Sequence, residues 1–342
     1  LPTFTPYETL AVRACSIAVT ATIDPPPYPP TLDELNNRFI FMRNATRSYF
    51  SNPMNFLRWV RVVEGLGYHS IMTSDHVVIT PDVAAAYPAP FYEPISTLAW
   101  LAGVTEKLEI GTTVLIVPYR NPLETARALA NIDQLSGGRL ILGVGIGWAE
   151  QEFASLKVPY RERGAITNEY LASIKQLWTE EIASYEGKYV SYRDVDTAPR
   201  PARKPHPPIW VGGASDAALR RTIRLGDAWH PIRFQEAWLR DEGMPRLRQL
   251  ADEEGAKMPA LCPRIRLRLL DAAADDETRV MGTGSLDQVH RDLASLEEMG
   301  CEHVLLDTYF DDVEATRDPS TSWRMIAEVA EKMLDLDAGV VR

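Results

Sequence analysis

The sequence predicts an α/β fold, a single (β/α)8 TIM barrel with insertions at its C-terminal face. Two observations carry this. Strand-like and helix-like segments alternate along the whole chain, eight of each, which is the pattern of a parallel sheet wrapped by helices. The segment GVGIG at 143–147 places its glycines at every second position, as a strand does, and lacks the GxGxxG spacing of a doubly wound dinucleotide fold. Length allows the same reading. The 342 residues exceed the roughly 250 that one barrel needs, so 1–342 reads as one domain with an atypical N-terminal excursion at about 24–51.

The elements follow in order. Residues 14–22 read as the first strand and 25–30 as a Pro-rich loop. Residues 32–51 carry Arg38, Arg43 and Arg47 among aromatics and read as an irregular excursion over the barrel mouth. Asn52 can cap the next helix. Pro53 takes its first position, Phe56, Leu57, Val60 and Val63 recur at helical spacing, and Gly65 and Gly67 end it. The second strand is 68–74, a helix follows at 94–105, and the β-branched run 108–117 is the third strand. Asn121 and Pro122 open a helix to 135, and 140–146 is the fourth strand. A helical region at 148–181 precedes a hairpin at 185–192 around Gly187 and a Pro-rich connector at 199–208. Then come the fifth strand (209–212), a helix (217–225), the sixth strand (227–230) and a helix from 235 to about 254. The seventh strand (265–270), a helix (285–299), the eighth strand (303–307) and a closing helix (322–334) complete the chain.

Composition removes several function classes. A net charge of −11 argues against a general nucleic-acid binder, which needs a basic footprint. No stretch reaches ~18 consecutive apolar residues, so no membrane partner is expected. Cys15, Cys262 and Cys301 are odd in number and far apart. They read as thiols of a reducing, cytoplasmic compartment, and no signal-peptide pattern opens the chain. CxxC, HxH, HExxH and GxSxG spacings are all absent, which lowers the metal and serine-nucleophile readings; no metal is expected.

In a barrel the chemistry gathers where strands end and the following loops begin. Asp75 and His76 follow the second strand directly; an imidazole handles protons near neutral pH and a carboxylate can tune it. Neighbours on a strand point to opposite sides, so Asp75 need not touch His76. Thr113 and Val114 lie in the third strand, with Arg120 beyond it. Gly145, Gly147 and Trp148 end the fourth strand, where small residues followed by an indole suit a planar ligand as well as tight packing. Gly212, Gly213, Ala214 and Ser215 open a helix after the fifth strand. Their free N–H groups suit a phosphate, and a plain helix cap by Ser215 is the alternative. His230 ends the sixth strand as a substrate contact, and Gly282 to Ser285 reads as a cap more than a second anion site.

These segments carry a resemblance. The motifs EGLGYHSIMTSDHVV, LEIGTTVLIVPYRNPLETARALANIDQLSGGRLILGVGIGW, EQEF, YRERG with NEYL, LWTE, YEGKYV, PRPARKPHPPIWVGGAS and LGDAWHP run in order between residues 59 and 299. In them the chain resembles the luciferase-like monooxygenase superfamily, the flavin- and deazaflavin-dependent (β/α)8 oxidoreductases. It is most similar to the branch using coenzyme F-420, a deazaflavin. The resemblance implies His76 as the active-site histidine with Asp75 beside it, and Thr113–Val114 as a cis peptide behind the cofactor ring. It implies ring contacts at Gly145 and Gly147, phosphate-side contacts at Gly212, Gly213, Ala214 and Ser215, and a homodimer. Trp148 stands where the sugar-phosphate dehydrogenases of this group carry a glutamate, which points to a more apolar substrate, with Arg120 and His230 nearby.

The leading expectation is hydride transfer between the deazaflavin and a small organic substrate, His76 acting as acid or base. FMN-dependent oxygen activation is the alternative, and a non-catalytic flavin-binding barrel a third. A polyanionic deazaflavin tail needs a basic rim, for which Arg43, Arg47 and Arg120 are the candidates in this acidic chain.

Overall fold

A computed structural model describes residues 53–87, 91–308 and 319–342. The expected first strand at 14–22, the excursion at 24–51 with its arginines, and the Asn52 cap lie outside the described residues. The first helix, α1 (Pro53–Gly65), buries Val60 and Val63 against the core. Strand β1 (Ser70–Thr73) follows, then a short helix α2 (Pro81–Ala84) that the sequence did not announce, and α3 (Pro94–Val104). The third predicted strand is two pieces, β2 (Glu109–Thr112) and β3 (Leu115–Ile116), interrupted at the Thr113–Val114 peptide, which is cis. A single turn of 3-10 helix (Val117–Tyr119) leads into α4 (Pro122–Ser136), whose cap Asn121 accepts the Leu123 N–H at 2.9 Å.

Strand β4 (Leu140–Gly145) precedes α5 (Glu150–Ser155) and α6 (Arg163–Thr179), so the long helical region is broken. The hairpin of β5 (Ala183–Glu186) and β6 (Ser191–Val195) is antiparallel. Strand β7 (Ile209–Gly212), α7 (Asp216–Leu225) and β8 (Ala228–His230) lie where the sequence put them. A helical run follows, α8 (Glu236–Trp238) and α9 (Met244–Glu253), joined through a π turn.

The seventh strand is the one displaced. It begins as β9 (Ala260–Leu261) and resumes as β10 (Arg264–Arg266), five residues ahead of the expected start at 265. Pro263 lies between the halves and has no N–H to give a ladder, which hid the first half. Residues 268–269, expected to continue that strand, form β11 (Arg268–Leu269) and pair with β12 (Thr283–Gly284). The closing elements are α10 (Leu286–Glu298), β13 (Leu305–Asp307), α11 (Pro319–Lys332) and a terminal antiparallel pair, β14 (Leu334–Asp335) with β15 (Val340–Val341). Ser285 and Gln288 form a capping box on α10, so the Gly282 to Ser285 turn is a cap.

The barrel wall is parallel throughout. β1 pairs with β2, β2 and β3 with β4, β4 with β7, β7 with β8, β8 with β9, and β10 with β13. Wholly buried Leu98, Leu101, Leu129, Leu140, Leu142, Ile209, Trp229 and Val289 join wall and helices in one core. Because all these strands run the same way, Ser74 to His76, Thr113, Gly145 and Gly212 emerge at one end. Between β1 and β13 lies a cavity of about 340 Å3 lined by Met72, Ser74, Thr113, Arg264 and Asp307. Among the described residues no strand pairs with β1 or β13 across this space.

Candidate active site

His76 is 7% exposed, just past β1. Its Nδ1 lies 2.8 Å from Oε2 of Glu152, on α5 and fully buried. The same carboxylate accepts the Val77 N–H at 2.6 Å, the Val78 N–H at 3.1 Å and the Tyr119 hydroxyl at 3.0 Å. Burial works against ionising Glu152, but the bonds from His76, Val78 and Val77 outweigh it and hold its carboxyl below the usual range. The imidazole is framed by rings: Tyr87 at 5.5 Å, Phe91 edge-on at 5.3 Å and Trp148 edge-on at 5.8 Å between centroids. Trp148, Val77 and Val78 are exposed large apolar side chains, so the mouth around His76 is apolar.

The floor is built by glycines. A Cβ on Gly145 would fall 2.5 Å from Val114 Cγ2, one on Gly143 would fall 1.9 Å from the Thr112 carbonyl oxygen, and one on Gly212 would sit 3.4 Å from Val114 Cγ1. What approaches the fourth strand so closely is therefore the interrupted third strand of the same chain. Val114 stands between two bare strand ends, a raised apolar platform at the barrel mouth. Behind it, Thr113 Oγ1 meets His230 Nε2 at 2.9 Å. Arg264 on β10 donates Nη1 to the Thr113 carbonyl at 3.0 Å, while its Nε and Nη2 donate to Asp307 at 3.0 and 2.7 Å.

At α7 the backbone turns through Gly213 (φ +108°), and Ser215 accepts the Ala218 N–H at 3.3 Å. The cap reading of Ser215 therefore holds. Among the described residues the Asp216 and Ala217 N–H groups have no protein partner, so the helix end still offers donors to an anion. Arg163, unassigned from sequence, opens α6. Its Nε donates to the Gly147 carbonyl at 3.2 Å and its guanidinium lies 3.9 Å over the Tyr160 ring. The β4–β7 register puts Val144 opposite Val211, so Gly145 and Gly212 end neighbouring strands.

A family model for luciferase-like monooxygenases matches residues 38–302. The chain belongs to that family. Among its relatives, an F420-dependent glucose-6-phosphate dehydrogenase of Segniliparus rotundus is 32% identical over 226 residues, 64% of this chain and 65% of that protein. An FMNH2-dependent dimethylsulfone monooxygenase of Pseudomonas putida is 33% identical over 142 residues, 41% of this chain and 39% of that protein. The chain thus spans less than two thirds of the length of these curated relatives. The structure of an F420-dependent secondary alcohol dehydrogenase superposes with a TM-score of 0.66 at 17% identity, covering 81% of this chain and 94% of that one, a likeness of fold.

Within this family member three expected roles change. Asp75 does not serve His76. Both its oxygens are taken by Arg120, at 2.6 and 2.8 Å, and one also accepts the Ile116 N–H at 2.8 Å. Burial pushes the Asp75 carboxyl up, with Arg120 working against it, so Asp75 is an anchor in place of a catalytic group. Arg120 is correspondingly not a substrate ligand: Nη2 also reaches Glu93 at 2.9 Å, and the guanidinium ties three segments together. It is also lost to any basic rim. His230 is wholly buried, bonded to Thr113 and to the Cys262 carbonyl. Burial pushes its imidazole down to about 4. It is a neutral wall behind Thr113, out of reach of a substrate. Among the described residues no cluster of three or more His, Cys, Asp or Glu could hold a metal ion, and no helix is long and apolar enough to cross a membrane.

Proposed function

We propose that this chain transfers a hydride between a deazaflavin of the coenzyme F-420 type and a small apolar organic substrate. The observation that carries the reading is His76: an oriented imidazole at the C-terminal mouth, framed by Tyr87, Phe91 and Trp148. When bound, the deazaflavin supplies or accepts the hydride at its ring. The residues present fit such a group. Val114, between bare Gly145 and Gly212, offers a flat apolar seat. The N-terminus of α7, with its Asp216 and Ala217 N–H groups, offers donors for a phosphate. His76 takes up or gives the proton that accompanies the hydride. Trp148 and Phe91 set apolar rings edge-on to the imidazole, which suits an apolar substrate better than a sugar phosphate. Three of the curated relatives are named F420-dependent dehydrogenases. We further assign the chain a homodimeric, cytoplasmic state, which sedimentation and fractionation test.

One observation favours the second reading, an FMN-dependent monooxygenase. Among the described residues Arg120 is engaged by Asp75 and Glu93 and Arg246 by Asp216 at the start of α7, so these cations are already paired, which suits one phosphate better than a polyanionic tail. Titrating the purified apoprotein with each cofactor separates the two. Deazaflavin binding with anaerobic hydride transfer supports the first reading. FMN binding alone, with oxygen uptake on reduction, overturns it.

A further inference from the structure

We propose that Glu152 is the positioning residue of this site: it fixes the Nδ1–H of His76 on its own carboxylate and leaves Nε2 as the nitrogen that exchanges a proton with the ligand. The inference rests on the catalytic reading of His76 given above and names the residue that sets its proton. Nothing in the family match assigns Glu152 a role.

Glu152 is fully buried, and among the described residues no lysine or arginine forms an ion pair with it. Its four hydrogen bonds all come from donors. Oε1 takes the Val77 and Val78 N–H groups, and Oε2 takes Tyr119 and His76. An ionised carboxylate accepts only, so Nδ1 must carry a proton whether the ring is neutral or cationic. The proton gained or lost at His76 is then the one on Nε2, which has no partner among the described residues. The arrangement also holds the ring in place. The carboxylate that fixes the imidazole grips the next two backbone N–H groups, and α5 is itself tied to α2 by the Gln151 N–H to Asp82 at 3.2 Å. The other ionisable groups around the pair are Tyr87, Tyr119, Asp82, and Asp75 with its partner Arg120.

The geometry makes one substitution diagnostic. In Glu152→Gln the Val77 and Val78 N–H groups can be met only by the amide oxygen, which turns the amide NH2 toward His76. Nδ1 must then accept, and the neutral ring is forced into the Nε2–H form. The tautomer is read by long-range 1H–15N spectra of the 15N-labelled apoprotein, with the His76 signals identified by their loss in His76→Ala. The expected result is Nδ1–H in the wild type and Nε2–H in Glu152→Gln, with Tyr119→Phe keeping the wild-type form. Turnover of Glu152→Gln should fall about 100-fold or more in kcat, with KM changed far less. A wild-type ring found as Nε2–H overturns the proposal, and does so even if Glu152→Gln fails to fold. An unchanged tautomer in a folded Glu152→Gln protein overturns it too, as does full turnover with the tautomer reversed. Because the spectra need no cofactor, failure of the deazaflavin reading would leave the tautomer result standing, so the two failures are distinguishable.

Discussion

Gly145→Ala tests whether the bare end of the fourth strand exists to seat Val114. The added methyl would lie 2.5 Å from Val114 Cγ2, 3.5 Å from Val114 Cβ and 3.8 Å from Ile116 Cδ1. Only the first contact is intolerable, about 1 Å inside the usual carbon–carbon separation. Val114 is β-branched and stiff at χ1, so relief means leaving its rotamer or shifting the strand, at about 1–3 kcal/mol. In a Val114→Ala background the offending Cγ2 is gone and the nearest remaining atom, Cβ at 3.5 Å, is in ordinary contact. There Gly145→Ala should be neutral or slightly stabilising, since alanine loses less chain entropy on folding than glycine. The coupling between the two sites should therefore be about 1–3 kcal/mol, well beyond the ~0.5 kcal/mol scatter of independent sites. Denaturant unfolding of the wild type, both single variants and the double variant, followed by tryptophan fluorescence, measures it. Costs that simply add would refute the crowding argument and return the glycine to a ligand-contact role.

Three further outcomes follow from the site. Asp75→Asn removes one of the two carboxylates that pair with Arg120, leaving Glu93, and should cost about 1–3 kcal/mol, read as a lowered unfolding midpoint. Glu152 has its carboxyl depressed by its hydrogen bonds despite burial. Its stabilisation is complete above the unfolded value of 4.5 and is lost as pH falls through the lower folded value. The stability gap between wild type and Glu152→Gln should thus be full at neutral pH and shrink steadily in acid melts. Trp148→Ala removes the exposed indole beside His76 and should raise KM for apolar substrates about tenfold, roughly 1.4 kcal/mol, in steady-state assays while leaving cofactor affinity unchanged.

Much of this was legible because backbone chemistry marks it locally. Pro122 after Asn121, the β-branched third strand and the glycines at 143–147 each announce their conformation within a few residues. His76 was singled out by its place at a strand end, whereas Val114, inside the third strand, drew notice only through the family resemblance. Glu152 was not. It sits in the acidic first turn of a short helix, where a carboxylate usually faces water, and its burial depends on Val77, Val78 and Tyr119, brought together only by the fold. Arg120 and Asp75 failed for a related reason. Each looked available because its partner, 45 positions away, is invisible to local pattern. The glycines at 143 and 145 suited a planar ligand or tight packing equally, and what packs against them is the neighbouring strand.

The Arg264 guanidinium sets a limit on how such barrels can be recombined. It comes from β10, gripping Asp307 of the last wall strand, and supplies the shorter of the two donors to the Thr113 carbonyl in the first half of the chain. A chimera that joined the N-terminal half of this protein to the C-terminal half of a relative lacking that arginine would leave the Thr113 carbonyl with only the longer bond from the Ser74 hydroxyl among the described residues, at about 1 kcal/mol, directly beside Val114. Arg264, Asp307 and Thr113 therefore behave as one heritable unit, and exchange of half-barrels between family members is constrained at the seam they share.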